Sequence, residues 1–514
     1  MRADAAHLGG RRLRPAYRRR AAGVLAALLV AVGGPLTALP VARAQTPTTP
    51  TRTEVQAQAQ VQNRAGTAAA PDGRTTHAVV TWGASAEQQS AGPADRSYRL
   101  IVRTSVGGVN MRVRLSNAFG TQPVTFASAC AGLQRQGAEL VHGSNRQVAF
   151  GGSASVTVPA GGTVLSDPLP GKLAARSNLV ISLYVTGAQG PTTGHGLAMQ
   201  TSYAATGDHA AEEGAAAWTD PISSWYWLDA VSVEASTAVG SVVTFGDSIT
   251  DGWDSTADAN RRWPDYLSRR LQAAAPGITV KGVANEGISG NMVLTDGSGQ
   301  SALNRLQRDV LSQPGARTVF LLEGVNDIKA HTGVTADDMI AGYQQIIDRA
   351  HAAGLCIVGA TVMPYKGWSE YDAAGEAVRR GVNDWIRNSG AFDAVTDFDQ
   401  VMRNPYDQQE LMPFFDSGDH LHPNDKGMQA MADAVDLSAL QCATHSPGPP
   451  PIPAALPARR RAPGGAGAHV TYEPESAPLA TCSSRLRNSR GASAQAADPT
   501  APCRKTPHRR RSGA

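Results

Sequence analysis

SVVTFGDSITDGW, residues 241–253, is the stretch on which the reading of the fold turns. An apolar run, SVVTF, breaks into Gly-Asp-Ser, residues that serve tight turns by adopting φ > 0 or by hydrogen-bonding the neighbouring backbone. A short apolar run bounded by turn residues suits a buried strand. Taken alone, it leaves Ser248 either as a nucleophile at the end of that strand or as a serine in a turn.

Downstream the pattern repeats. ITVKGVA (278–284), TVFLLEG (318–324), LCIVGAT (355–361) and AVTDF (394–398) read as further buried strands. Between them, 263–275, 336–354, 373–388 and 424–435 carry helical periodicity. Buried strands alternating with helices predict an α/β section over 240–441, a parallel sheet covered on both faces. Upstream, over 77–236, the period changes to two. YRLIVRT (98–104), VNMRVRL (109–115), ASVTVPA (154–160) and NLVISLYV (178–185) are separated by Gly, Pro, Asn and Asp. Short strands at that spacing predict an all-β sandwich of jelly-roll type preceding the α/β section.

The ends have a different composition. Residues 1–44 combine an Arg-rich start, an apolar run of about a dozen residues and Ala42-Arg43-Ala44, the plan of a secretory signal peptide cleaved near Ala44. That run is short for a membrane span, so the expectation is export without a stable membrane anchor. Residues 45–76 are rich in Thr, Gln, Ala and Pro and read as a flexible lead-in; residues 442–514, rich in Pro, Arg, Gly and Ser, read as a disordered basic tail. The first 44 residues hold eight Lys and Arg against one acid and the tail eleven against three, so the net +4 conceals a body of net −11 over 45–441. An acidic body disfavours nucleic-acid binding, which requires cationic groups to displace phosphate counterions. None of the five cysteines forms a CxxC motif, which argues against a zinc knuckle or a redox motif.

In an open parallel sheet, ligands sit beyond the carboxyl ends of the strands. The polar residues past those ends are Ser248, then Gly290 in NEGISGN (285–291), Asn326 in EGVND, and Asp419 with His422 in DSGDHLHPND before the last helix. Each alone has an ordinary explanation as a turn, cap or loop residue. Together their chemistry is complementary. A serine hydroxyl needs a base, His422, and the base needs a carboxylate on its other ring nitrogen, Asp419. The amides of Ser248 and Gly290 and the Asn326 side chain are candidate oxyanion donors. No GxSxG occurs, so the strained elbow of α/β-hydrolases is not indicated.

GDSIT (246–250), NEGISGN (285–291), GVND (324–327) and DHLHP (419–423) resemble, in order, the four blocks of the SGNH (GDSL) hydrolases. The resemblance implies an SGNH-type three-layer sandwich over about 240–440. It also implies Ser248, Asp419 and His422 as catalytic residues and Ser248, Gly290 and Asn326 as the oxyanion hole. The preceding section, with VRLSNAFGT (113–121) and GLAMQTSY (196–203), more loosely resembles the N-terminal region of a secreted bacterial branch that includes arylesterase-like and acetylxylan-esterase-like enzymes.

The resulting expectation is a secreted serine esterase acting on short acyl or aryl esters or on acetyl groups of polysaccharide, with neither cofactor nor metal. Trp253, Tyr365, Trp368 and Phe414 are candidate pocket walls. Three alternatives compete: a lysophospholipase-type enzyme; a metal site built on His420, His422, Asp416 and Asp419; and a non-catalytic carbohydrate-binding protein. In the last, Trp82, Trp218, Trp225, Tyr226 and Trp227 would form a sugar-stacking surface.

Overall fold

The computed structural model describes residues 75–441 apart from Ala188, Gln189 and Ala275. The expected leader, nearly all of the lead-in and the basic tail lie outside the described residues.

Five strands, all parallel, make the α/β sheet: Gly240–Gly246, Lys281–Gly287, Ala316–Leu322, Cys356–Ala360 and Ala394–Thr396. Taken in chain order, their spatial order is 2-1-3-4-5, which reverses direction between the first and third strands. Right-handed crossovers then send the helix after strand one to one face and those after strands three and four to the other. Accordingly Trp263–Gln272 packs with Asp425–Ala434, and Ala336–Ala352 packs with Ala373–Asn388. Both faces of the sheet contribute to one core around Phe245, Trp263, Phe320, Ile346, Ile357 and Phe398, which explains the near-continuous apolar runs of the strands.

Two element boundaries differ from the sequence reading in ways that matter. The second strand runs Lys281–Gly287, three residues later than expected, and all seven residues are buried; a strand covered on both faces has no alternation to mark its ends. The last helix is Asp425–Ala434 because Asn424 is its cap, accepting hydrogen bonds from the Lys426 and Gly427 amides. A π-helical turn, Leu306–Leu311, has no signature in the sequence reading.

The N-terminal section forms two large antiparallel sheets and a small third one of Glu87–Gln89, Thr192–His195 and Trp225–Tyr226. Of the large pair, one orders Thr76–Gly83, Leu228–Ser236, Gly108–Ser116 and Leu169–Leu173; the other contains Ser202–Thr206, Arg96–Arg103, Asn178–Val185 and Val124–Gln136. Val113 and Val231 of the first pack with Leu100, Phe126 and Ile181 of the second in one core, the signature of a sandwich. Trp82, Trp218, Trp225 and Trp227 are at most 4% exposed. They are core residues, so the sugar-stacking surface considered above does not exist among them.

The sandwich lies directly on the second parallel strand. Ala84 pairs with Asn285, and Val80, Ala230 and Ala284 form a small shared apolar cluster. Gly282 is required there, since a Cβ would stand 2.0 Å from the Val80 carbonyl oxygen. The edge of the parallel sheet is thereby covered rather than left open to pairing with other chains.

Candidate active site

The first strand ends at Gly246, and Asp247 caps a single helical turn, Ser248–Asp251, by accepting the Ile249 amide at 2.9 Å. Ser248 is the first residue of that turn, so its own amide has no intrahelical carbonyl to reach. Its hydroxyl lies 2.8 Å from His422 Nε2. The His422 Nδ1 lies 2.6 Å from Asp419 Oδ2, while Asp419 Oδ1 accepts the amides of Leu421 and His422, each at 2.9 Å.

The histidine loop is locally over-determined. Asp416 Oδ1 accepts the Gly418 and His420 amides, the Ser417 amide donates to the His422 carbonyl, and the Asn424 amide donates to the Phe415 carbonyl. His420 takes φ +70 and turns its ring to Asp416 Oδ2 at 2.9 Å, so the two histidines of HLH have separate carboxylate partners. Burial raises the Asp419 carboxyl. The hydrogen bonds from the His422 ring and from the His422 and Leu421 amides outweigh it and hold the group well below the usual carboxylate range. Asp419 therefore stays an anion at any pH at which an ester is hydrolysed near neutrality.

The loops after the second and third strands are bound to each other. Asn326 Nδ2 donates to the Asn291 carbonyl at 2.8 Å, and Asp327 accepts the Val293 and Leu294 amides at 2.8 and 3.0 Å. Gly290 stands between them at φ +80, a conformation that glycine adopts without the Cβ penalty of other residues. Beneath the site lies Arg305, wholly buried. It donates to the carbonyls of Gly246 and Glu286, to Asn291 Oδ1 and to Ser85 Oγ, with Glu323 3.6 Å away. One side chain thus fixes the end of the nucleophile strand relative to the Gly290 loop. Burial, with help from Asp247, pushes the Glu323 carboxyl well up against the opposing pull of Arg305; burial also raises Asp247, to about 6.

Ser248, Asp419 and His422 therefore converge, and the Gly290 and Asn326 segments meet beside them at the point where the strand order reverses. Of the proposed pocket residues, Trp253 and Trp368 flank the base, each ring centred 5.8 Å from that of His422. Tyr365 is a correction: it is fully buried in the core, packed edge-on to Tyr371, and presents no open wall. Phe414 is exposed, and its ring faces Lys426 rather than the His422 ring. Asp251, Asp327, Arg305 and His195 are structural members of the site that went without a role in the sequence reading. Asp251 and Asp327 lay inside quoted motifs, whereas Arg305 and His195 sit in stretches with no motif.

A hydroxyl bonded to an imidazole that is itself bonded to a carboxylate is the arrangement that makes serine a nucleophile. Residues 244–430 match the GDSL-like lipase/acylhydrolase family. That segment is a GDSL-like lipase/acylhydrolase domain. The protein is an ester-hydrolysing enzyme, and the matched segment runs from the end of the first parallel strand into the last helix. No curated protein matches the chain. Solved structures similar to the GDSL-like section include an aryl esterase from M. smegmatis, 17% identical, covering 39% of this chain and 97% of that one with a TM-score of 0.32. An acetylxylan esterase from Geobacillus stearothermophilus is 22% identical, with coverages of 40% and 96% and a TM-score of 0.30. A carbohydrate acetylesterase from Sinorhizobium meliloti is 16% identical, with coverages of 38% and 95% and a TM-score of 0.31.

Proposed function

We propose that this enzyme is a secreted serine esterase for compact acyl or aryl esters, including acetyl groups on polysaccharide, working through an acyl-enzyme. The observation that carries the reading is the unbroken chain from Ser248 Oγ through His422 to Asp419, at 2.8 and 2.6 Å. Ser248 Oγ attacks the ester carbonyl as His422 Nε2 takes its proton. The imidazolium, steadied by the Asp419 anion, returns that proton to the departing alcohol; water then repeats the cycle on the acyl-enzyme. The amides of Ser248 and Gly290 and the Asn326 side chain stabilise the oxyanion.

The preference for compact substrates is supported by the two tryptophan rings, each centred 5.8 Å from that of His422, which bring apolar walls close to the base. Secretion is supported by the leader-like residues 1–44. The test is hydrolysis of p-nitrophenyl esters from acetate to palmitate by the full chain and by Ser248→Ala, with and without EDTA. The expected result is a Ser248-dependent, EDTA-resistant rate that falls steeply beyond short chains. Wild-type activity in Ser248→Ala would overturn the mechanism; a preference for long chains would overturn the substrate class in favour of a lysophospholipase-type enzyme.

A further inference from the structure

His195 belongs to the N-terminal β section, in the strand Thr192–His195 of its small three-stranded sheet, yet its ring reaches the nucleophile turn. Its Nε2 lies 2.8 Å from Asp251 Oδ1, and both side chains are about 3% exposed or less. Asp251 uses its other oxygen on the oxyanion side: Oδ2 accepts the Ser289 amide at 3.1 Å and the Ser289 hydroxyl at 3.0 Å. Ser289 immediately precedes Gly290. A single carboxylate, one turn beyond Ser248, thus bonds at once to the N-terminal β section and to the loop that presents the Gly290 amide.

The surroundings of the ring specify its protonation. Nδ1 faces the Ser85 carbonyl at 3.0 Å, and Nε2 faces the Leu197 carbonyl at 3.1 Å as well as Asp251. All three partners accept only, so both nitrogens must donate, which requires the imidazolium. The charged groups around it are Asp251 and Glu87, whose Oε2 is 3.9 Å from Nδ1. The ring also stacks on Trp225, over which the Arg262 guanidinium lies at 5.9 Å. Burial lowers the His195 pKa, but Asp251, Glu87 and the Ser85 carbonyl together hold it up at about 9.

We infer that His195 is a positioning residue for ester hydrolysis: through Asp251 and Ser289, the N-terminal β section sets the aim of the Gly290 amide at the oxyanion. That section is on this account part of the working site rather than a detachable accessory. The inference rests on the reading of Ser248 as nucleophile and Gly290 as oxyanion donor.

The reach of the two amide side chains separates the contacts. In His195→Gln the amide nitrogen occupies the place of Nε2 and keeps the donor to Asp251; in His195→Asn it occupies that of Nδ1 and keeps only the donor to Ser85. The experiment measures kcat and KM on p-nitrophenyl acetate, the inhibition constant of phenylboronic acid as a tetrahedral analogue, and the melting temperature. The proteins are the full chain, both variants, Ser289→Ala and Ser248→Ala. His195→Asn is expected to lose about 10- to 100-fold in kcat, short of the full cost of deleting a donor, with KM within twofold and boronate binding weakened in parallel. His195→Gln is expected to recover most of that loss at pH 7. Ser289→Ala, which keeps the amide bond to Asp251, should lose a smaller factor in the same two quantities. Equal behaviour of the Gln and Asn variants, or a kcat loss with unchanged boronate binding, would overturn the inference and leave His195 a merely structural residue. If Ser248→Ala kept its activity, the underlying reading would fail instead, a distinct result.

Discussion

Gly290→Ala tests the oxyanion geometry most directly. At φ +80 an L side chain costs about 1–2 kcal/mol in the left-handed region. The added Cβ would stand 2.6 Å from Ser298 Oγ and 3.0 Å from Ser298 Cβ. Rotating the hydroxyl away relieves the first contact but not the second. The Ser298 backbone is itself held, because its carbonyl accepts Asn291 Nδ2 at 2.8 Å. The loop has to shift by a few tenths of an ångström, carrying the Gly290 amide with it. Complete loss of one oxyanion donor costs about 10²- to 10³-fold in kcat, or about 2.7–4 kcal/mol; a misaligned donor should cost about 10- to 100-fold. Stability should fall by about 1–2 kcal/mol, seen as a melting temperature lower by about 2–4 °C. The assay is kcat and KM on p-nitrophenyl acetate beside a thermal melt, repeated for Gly290→Ala combined with Ser298→Gly. The double variant removes the contact but keeps the φ strain, so it should regain kcat more than stability. A normal kcat in the single variant, accompanied by the expected fall in melting temperature, would refute the assignment of the Gly290 amide to the oxyanion.

Asp419→Asn should lower kcat by about 10²- to 10⁴-fold, because the amide offers His422 Nδ1 a donor in place of an acceptor and favours the wrong tautomer; p-nitrophenyl acetate turnover at pH 8 measures it. The folded Asp419 carboxyl lies below its unfolded value of about 3.9. Its stabilising contribution is thus fully present above about pH 4 and fades as pH falls further, so the difference in urea stability from Asp419→Asn should be flat from pH 5 to 8 and shrink in acid. Asp247 has the opposite sign: its folded value is about 6, raised by burial, so stability is lost as pH rises from about 4 to 6. Asp247→Asn keeps the oxygen that accepts the Ile249 amide and should remove that slope, as urea midpoints at pH 4.5 and 6.5 would show. Arg305→Met leaves the Gly246 and Glu286 carbonyls and Asn291 Oδ1 without their buried donor. It should destabilise the fold by about 3–5 kcal/mol through these unsatisfied acceptors, a loss that chemical denaturation would read directly; a loss under 1 kcal/mol would contradict the role given to this side chain.

What the sequence determined by itself was local. Strand and helix types over 240–441 were readable because burial on two faces or on one stripe imposes continuous or 3.6-residue apolar patterns. The Asp419–His422 pairing was readable because three residues of one tight loop bring both side chains to the same place. Convergence of Ser248, Gly290, Asn326 and His422 followed from the rule that parallel strands deliver their carboxyl ends to one edge. Strand ends were less legible: in Lys281–Gly287 every residue is buried, so no polar position marks where the strand stops.

Only the tertiary structure decided the rest. Tyr365 and Trp225 look like Trp253 in sequence, since an aromatic residue carries the same letter in a core as beside a catalytic base; packing put the first two inside and left Trp253 at the His422 ring. Arg305 meets Ser85 across 220 positions and His195 meets Asp251 across 56. No periodicity records such pairs. They exist because the sandwich is pressed onto the edge of the parallel sheet, where charges removed from water must find partners in whichever element lies opposite.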